Sequence, residues 1–332
     1  MVDGRAGRHE HLFALSPERV KETDRVYLRW DGARRRAAID PPVRRVPTTR
    51  RSKDESARRY TAAMPIDVSG EVIANAALSA DYNVLAIAAP SIAARAAPGQ
   101  FVMVKAGAGH DPLLRRPFSI FEVLRDGRGA PTAISLLNKR IGVSTGLLYA
   151  ARPGDRVACL GPLGNSWRIA EPPLQAYLVA GGVGLAAFAT LAQSLAERRV
   201  STTLFYGART AAELMYLDFF RGLGVDLVLT TEDGSAGERG RVTAALERAL
   251  AHRTDAMPLV SACGPEAMMA ATTKIAMRFR ASCEVSMERV MGCGLGGCYS
   301  CVVPMRTRHG GFHHVRSCMA GPVLPADQVL WD

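Results

Sequence analysis

Four cysteines near the C-terminal end of the chain constrain its fold more than any other feature of the sequence. They follow the pattern Cys293-x4-Cys298-x2-Cys301-x16-Cys318, with three thiols close together and one distant. This spacing is typical of a plant-type [2Fe–2S] centre, in which four soft thiolates hold two irons. The chain is therefore expected to wrap tightly around the sulfur atoms in this region.

The residues around the first three cysteines favour the cluster over its alternatives. Cluster sulfurs accept backbone N–H bonds, and glycine permits the close wrapping that these bonds need. The glycines in this stretch are Gly292, Gly294, Gly296 and Gly297. The alternatives are a zinc ribbon and a set of reduced structural thiols. A zinc ribbon usually shows two Cys-x2-Cys pairs, whereas this sequence has one, at Cys298 and Cys301.

The use of cysteine also indicates the compartment. The chain has seven cysteines, and an odd, crowded set argues against a disulfide framework. Reduced thiols are typical of a reducing compartment, so we predict a cytoplasmic protein. Cys159 and Cys283 lie in no motif, and we interpret them as structural thiols.

The excess of positive charge lies mainly in the first part of the chain. The formal net charge is +11, and residues 1–60 hold 16 of the 42 basic and 9 of the 31 acidic side chains. The remainder is nearly balanced, which predicts no nucleic-acid partner. Residues 1–63 show no hydrophobic period, so we expect a basic, disordered and mobile tail. The alternative is that Met64 is the natural start, and a chain beginning there is expected to fold and to keep its cofactors.

The hydropathy pattern divides the rest of the chain into three parts. Residues 64–170 contain six short strands bounded by Gly, Pro or Asp, which predicts a closed antiparallel barrel. In residues 171–279 buried strands alternate with amphipathic helices, which predicts an α/β Rossmann-like nucleotide domain with a parallel sheet. Residues 280–332 hold the four clustered cysteines and are expected to form a small domain with little regular structure. The longest apolar stretch is broken by glycines, so no membrane span is expected.

Three segments of the predicted barrel suggest a flavin site. Arg116-Pro117-Phe118-Ser119 begins a strand, where Arg116 and Ser119 are expected to share one face. An arginine can bind a diphosphate and a serine can bond a flavin ring or ribitol, although such a tetrapeptide is more often a surface strand end. The segments Leu137-Asn138-Lys139 and Gly142-Val143-Ser144-Thr145 follow. We predict that Ser144 and Thr145 cap a short helix whose free N–H groups bind a pyrophosphate.

Two further turns follow buried strands of the predicted nucleotide domain. Gly181-Gly182-Val183-Gly184 lies between a strand and a helix, which suits the phosphates of a nucleotide at the carboxyl edge of a sheet. Cys263-Gly264-Pro265-Glu266 follows another strand of this kind.

Taken together, the motifs resemble one family closely, the electron-transfer subunit of NAD-linked (type B) dihydroorotate dehydrogenase. This family belongs to the ferredoxin–NADP reductase-like flavoproteins. The motifs that carry the resemblance are RPFS, GVST, GPLGN, AGGVG, YGART, TEDGSAGERGRVT and CGPEAMM. The segment SMERVMGCGLGGCYSCVVP, followed by CMAGPVL, narrows the resemblance to this family. The resemblance covers about residues 66–332, and the motifs stand in the order expected of the family.

The resemblance implies specific roles for the residues of these motifs. The barrel is implied to bind FAD through Arg116, Pro117, Phe118, Ser119, Leu137, Asn138, Lys139, Ser144 and Thr145. Ser144 replaces the family's usual glycine. The α/β domain is implied to bind NAD at Gly181, Gly182 and Gly184, and Cys263 is expected either beside the nicotinamide or as a packed thiol. The implied cluster ligands are Cys293, Cys298, Cys301 and Cys318.

The resemblance also implies a function, that of an oxidoreductase subunit. A partner subunit with FMN would oxidise dihydroorotate in pyrimidine (UMP) biosynthesis, in a heterotetramer with two copies of each chain. Electrons would pass through the [2Fe–2S] cluster and FAD to NAD+, with flavin converting single-electron into two-electron transfer. The alternatives are a reductase subunit of another complex, such as a hydrogenase or a sulfide-linked oxidoreductase, and a non-enzymatic binding protein with structural zinc.

Overall fold

The computed structural model describes residues 64–107, 109, 111–172, 174–253, 257–307 and 310–331. The predicted basic tail, residues 1–63, lies outside these ranges. Within them, no helix combines the length and the apolar character that crossing a membrane requires.

Residues 66–163 form an antiparallel barrel. Its strands are β1 (Ile66–Ala77), β2 (Tyr82–Ala88), β3 (Phe101–Ala106), β4 (Arg116–Ser119), β5 (Glu122–Arg125), β6 (Pro131–Lys139) and β7 (Arg156–Leu163), with helices α1 (Pro90–Ala93) and α2 (Val143–Ala150). The strand order is β4-β3-β7-β1-β2-β6-β5. Side chains that alternate along these strands fill the barrel, among them Ile87, Val102 and Ile134.

The barrel closes because β4 and β5 are the two halves of one bent strand. Only Ile120 and Phe121 separate them, and their N–H groups donate to the carbonyls of Gln100 and Ser135 on the two sides. The first half pairs with β3 and the second with β6. The predicted closed barrel is confirmed, with one predicted strand bent into two.

Residues 176–286 form a parallel sheet flanked by helices. The strands are β8 (Ala176–Gly181), β9 (Thr202–Ala208), β10 (Asp226–Thr231), β11 (Glu238–Arg239), β12 (Leu259–Cys263) and β13 (Cys283–Ser286), and the helices are α3 (Ala189–Glu197), α4 (Leu217–Gly222), α5 (Val242–His252) and α6 (Glu266–Arg278). Short 3-10 helices cover Gly182–Ala187 and Ala211–Glu213. The strand order turns back between β8 and β12, so the predicted Rossmann-like domain is confirmed and its switch point lies there.

The C-terminal region holds more regular structure than the sequence indicates. It contains β14 (Val302–Arg306), β15 (Phe312–Arg316), α7 (Ser317–Ala320), β16 (Val323–Pro325) and a 3-10 helix at Ala326–Gln328. Strands β14 and β15 form a hairpin, and β16 pairs antiparallel with β13. The polypeptide therefore leaves the nucleotide-domain sheet, forms the cysteine loop and the hairpin, and returns to the edge of the same sheet.

Candidate functional site

The hairpin and the loop before it bring the four clustered cysteines together. Cys301 directly precedes β14 and Cys318 lies in α7, and the Ser317 N–H donates to the Cys301 carbonyl at 2.8 Å. Cys301 and Cys318 are buried, whereas Cys293 is half-buried and Cys298 is exposed. The buried pair lies on the inner side of the loop and Cys298 on its outer surface.

The thiols approach one another in two pairs. Hydrogen bonds with Ser300 and then with Cys293 lower the pKa of Cys298 to about 6. Burial, and after it the hydrogen bond with the neighbouring Cys301 thiol, raise the pKa of Cys318 to about 12. Within the described residues, no group of three such side chains is assembled around one point. Two pairs of thiols fit a cluster of two irons, each of which takes two thiolates.

The backbone of the loop also fits a cluster. The Leu295 N–H points to the Cys293 sulfur at 3.3 Å, the kind of bond that stabilises a thiolate. Gly294 and Gly296 have φ angles of +71° and +80°, a region that L side chains rarely adopt. A Cβ atom on Gly294 would lie 2.5 Å from Cγ of Met103, so the loop lies directly on the barrel.

The predicted flavin motif lies on β4, the neighbour of the barrel strand β3 that contacts the loop. In the register of β3 and β4, Met103 is opposite Pro117 and Phe101 is opposite Ser119. Paired residues share a face, so Pro117 and Ser119 lie on the side of the sheet that Met103 presents to the cysteine loop. Arg116 lies on the opposite face from Ser119, and the expectation of a shared face is wrong because three positions separate them.

The other two barrel segments of the predicted flavin site meet at the start of α2. The Asn138 amide donates to Asn83 Oδ1 at 2.7 Å and to the Thr145 carbonyl at 3.0 Å. Gly142 is the N-cap, and the Thr145 hydroxyl accepts the N–H groups of Ile141 and Gly142. The predicted position of the cap is therefore wrong for Ser144, which lies inside the first turn, whereas the Thr145 hydroxyl caps the helix from the third position through a capping box with Gly142.

Two buried polar atoms at this turn have no partner among the described residues, Asn138 Oδ1 and Ser144 Oγ. Buried polar atoms are normally hydrogen-bonded, so this orphaned pair fits a polar ligand. The Ser144 hydroxyl can donate to a pyrophosphate oxygen at the helix N-terminus, whereas Asn138 Oδ1 only accepts and fits a hydroxyl or N–H group of the same ligand. Leu137, the residue before Asn138, is buried in an apolar cluster that includes Leu185 from the 3-10 helix after the glycine turn. The candidate flavin segments therefore reach the nucleotide domain.

The glycine turn lies where the strand order reverses. A Cβ atom on Gly184 would lie 2.3 Å from the Cys263 carbonyl oxygen, so only glycine allows the ends of β8 and β12 to approach so closely. Gly182 has a φ of +52°. This is the cleft at which nucleotides bind in open α/β sheets.

Cys263 is buried at the end of β12, beside this cleft. Burial raises the pKa of its thiol, the Glu288 carboxylate raises it further, and the Ser286 hydroxyl opposes the shift. Sequence reasoning assigned no role to Ser286 and Glu288, although both lie in the segment SMERVMGCGLGGCYSCVVP. The signal available was their position just before the cysteine loop, at the end of the strand next to β12.

Comparison with known proteins places this arrangement in a family. Residues 288–330 match a family model described as the iron-sulfur cluster binding domain of dihydroorotate dehydrogenase B, and residues 178–274 match the oxidoreductase NAD-binding domain. The "Dihydroorotate dehydrogenase B (NAD(+)), electron transfer subunit" of Desulforamulus reducens is 39% identical over 244 residues, which cover 74% of this chain and 90% of the relative. The protein of the same name from Bacillus caldolyticus is 37% identical over 236 residues, which cover 70% of this chain and 86% of the relative.

The chain belongs to the family of dihydroorotate dehydrogenase B electron transfer subunits. The resemblance seen in the sequence is thereby confirmed. A solved structure of NADH-dependent reduced ferredoxin-NADP oxidoreductase has a TM-score of 0.69 and 30% identity, covering 80% of this chain and 91% of that chain. The barrel, the Rossmann-like domain and the C-terminal cluster region of this electron transfer subunit together form a ferredoxin reductase-like fold.

Proposed function

We propose that this chain transfers electrons from the oxidation of dihydroorotate, in a partner catalytic subunit with FMN, to NAD+ in pyrimidine biosynthesis. The observation that carries the proposal is the spatial arrangement of three candidate sites, in which the cluster site lies next to the flavin site and the flavin site lies next to the nucleotide site. The cysteine loop lies on Met103, Met103 shares a face with Pro117 and Ser119 of the flavin motif, and Leu137 of the second flavin segment packs in one cluster with Leu185 of the nucleotide domain.

The chain's own residues divide the work as follows. Cys293, Cys298, Cys301 and Cys318 hold the [2Fe–2S] cluster; Arg116 to Ser119, Leu137 to Lys139, Ser144 and Thr145 bind FAD; and Gly181, Gly182 and Gly184 receive NAD. When bound, the cluster supplies single-electron transfer, the nicotinamide takes a hydride, and the flavin links the two. Residues 64–170, 171–279 and 280–332 are the corresponding FAD, NAD and cluster domains in this proposal.

The surface around Cys298 suits the partner subunit. The exposed apolar side chains of the cysteine loop and hairpin are Val290 (81% exposed), Leu295 (52%), Tyr299 (63%) and Phe312 (61%). Large exposed apolar patches mark sites of protein association. We call these four side chains the rim. A catalytic subunit that docks on the rim, in a heterotetramer with two copies of each chain, would deliver electrons next to Cys298, the most exposed of the four clustered cysteines.

We also place the complex in the cytoplasm. All seven cysteines are free thiols, including the pairs that stand close together in the loop. Free thiols of this kind are stable in a reducing compartment.

The test is dihydroorotate-dependent reduction of NAD+ by the full chain after co-expression with an FMN-containing dihydroorotate dehydrogenase subunit. We expect activity, and we expect Leu295→Glu on the rim to weaken co-purification of the two subunits. Leu174→Glu is the matched control, because Leu174 is similarly exposed (43%) in the segment between the barrel and β8. If the chain reduces its flavin with NADH but never accepts electrons from dihydroorotate with any such partner, the proposed substrate is wrong.

A further inference from the structure

A buried carboxyl group lies between the barrel and the nucleotide domain. Glu122, on β5, is 8% exposed. Its Oε2 accepts a hydrogen bond from the Ser135 hydroxyl of the barrel at 3.0 Å. The same oxygen accepts a second bond, also of 3.0 Å, from the Tyr216 hydroxyl of the nucleotide domain, 94 residues away. Glu122 therefore joins two domains through one atom.

Aromatic rings surround this bond. The ring of Phe121 meets the ring of Tyr216 edge-on, with centroids 4.8 Å apart, and the Phe219 ring lies 6.5 Å from Phe121. Aromatic pairs at these distances are attractive beyond the area they bury. The surroundings exclude water from the carboxyl group, and burial raises the pKa of Glu122 accordingly. In an apolar setting a hydrogen bond is stronger and a lost partner is more damaging.

The backbone of Tyr216 is held in an unusual conformation. Its φ is +61°, in the left-handed region that bulky residues rarely occupy. Together with Leu214 and Met215, this residue also interrupts the helical structure between the 3-10 helix at Ala211–Glu213 and α4. Such conformations persist where surrounding contacts impose them, and they concentrate at functional sites. Here the contact made possible by the interruption is the bond to Glu122.

Both residues of this contact belong to elements that lead to the candidate cofactor sites. Glu122 follows Ser119 of the flavin motif by three positions, with the bend of the barrel strand between them. Tyr216 follows the carboxyl end of β9, and β9 is hydrogen-bonded to β8, whose end carries the glycine turn. The contact therefore links the bent strand that carries the flavin motif to the segment after β9 in the nucleotide domain.

We propose that the hydrogen bond from Tyr216 to Glu122 is a latch that fixes the nucleotide domain on the barrel, which makes Tyr216 a positioning residue for hydride transfer. This inference rests on the proposed function only in requiring NAD and FAD at their two domains. In the step concerned, a hydride carrying two electrons leaves C4 of NADH for the oxidised flavin, and NAD+ remains. The latch takes no proton or electron and acts only by orienting the two domains.

The test is Tyr216→Phe in the FAD- and cluster-loaded protein, mixed anaerobically with NADH in a stopped-flow instrument. The variant keeps the ring and loses only the hydroxyl, so we expect flavin reduction at saturating NADH to slow about fivefold to tenfold, the effect of one ordinary buried hydrogen bond. The NADH concentration at half-maximal rate should change little, because the latch touches neither nucleotide nor flavin. The isotope effect with 4-deuterated NADH should rise as the hydride step becomes more limiting.

Three further variants separate the latch from a general loss of stability. Tyr206→Phe is the matched control, because the Tyr206 hydroxyl donates to the Glu213 carbonyl at 2.9 Å within one domain. Glu122→Gln retains an acceptor oxygen and should transfer hydride at close to the wild-type rate. Glu122→Ala should match Tyr216→Phe, and the double variant should be no slower than either single variant.

The outcomes are distinguishable from a failure of the proposed function, since the assay uses neither the partner subunit nor dihydroorotate. Wild-type rates in Tyr216→Phe would overturn the latch. Equal slowing in Tyr216→Phe and Tyr206→Phe would also overturn it, because the loss would then reflect stability rather than docking.

Discussion

Replacement of Gly294 by alanine tests whether the cysteine loop is held on the barrel in the way that the structure indicates. The new Cβ atom would lie 2.5 Å from Cγ and 3.1 Å from Sδ of Met103, and 3.2 Å from Cδ1 of Leu163. Met103 is fully buried and cannot swing into solvent. The residue would also have to keep a φ of +71°.

The expected destabilisation has two parts. A left-handed conformation costs an alanine about 1–2 kcal/mol, and overpacking of a filled apolar site costs about 1–3 kcal/mol. Together these give about 2–5 kcal/mol against the seated loop. A difference of that size would loosen the loop while the barrel and the sheet, whose cores lie elsewhere, stay folded.

The assay is loss of the [2Fe–2S] absorbance in a chelator, followed over time at increasing urea concentration. Gly297→Ala is the control, because its Cβ would meet no atom within 4 Å and its φ is not positive. We expect Gly294→Ala to lose the cluster much faster than Gly297→Ala. Adding Met103→Ala to Gly294→Ala should restore part of the loss, since the added methyl group then partly fills the cavity that this second change creates.

Equal retention of the cluster in the two glycine variants would refute the contact between the loop and the barrel. If Met103→Ala restores nothing, backbone strain alone explains the defect, and the packing argument is wrong.

Four other predictions concern single residues. Cys298→Ser should abolish the reduced [2Fe–2S] EPR signal and leave FAD bound, because the ligands and the flavin motif lie in separate elements. Arg116→Ala should weaken FAD binding about tenfold to hundredfold, as expected for one charge-assisted bond, measured by equilibrium dialysis. Cys263→Ala should slow flavin reduction by NADH and spare the flavin content, and identical stopped-flow rates would favour a packing role. Burial raises the pKa of Glu122 above its ordinary 4.5, so its contribution to stability is full below that pH and is lost as the pH rises through the raised value. Urea midpoints of the wild type should therefore fall with rising pH relative to Glu122→Gln, and parallel curves would contradict this.

Much of the fold follows from local pattern. Regular short strands bounded by Gly, Pro or Asp predict the barrel, alternation of strands and helices predicts the parallel sheet, and the spacing of four thiols predicts the cluster region. Boundaries within this pattern are less well determined. The strand through the flavin motif bends at Ile120 and Phe121 because its two halves pair with different neighbours, and such pairing has no signal in local sequence.

The parts of the candidate site that lie within one short segment were predictable from the sequence. The parts that depend on contacts between distant residues were missed. The cysteine pattern and the glycine turn are predictable in this sense. Glu122 and Tyr216 are not, since their partnership spans 94 positions and each looks locally like an ordinary strand or helix residue.

The pairing of β16 with β13 has a consequence for how electrons travel inside this chain. The cysteine region is enclosed between two strands of one sheet, so it is anchored at both ends rather than hung from a single linker. A redox module on one tether samples many positions, and its encounters depend on the effective concentration that the tether allows. Here the cluster region is built into the same sheet as the candidate NAD site, because β16 pairs with β13. Exchange of this module for a foreign ferredoxin would therefore remove an edge strand of the nucleotide domain along with the cluster.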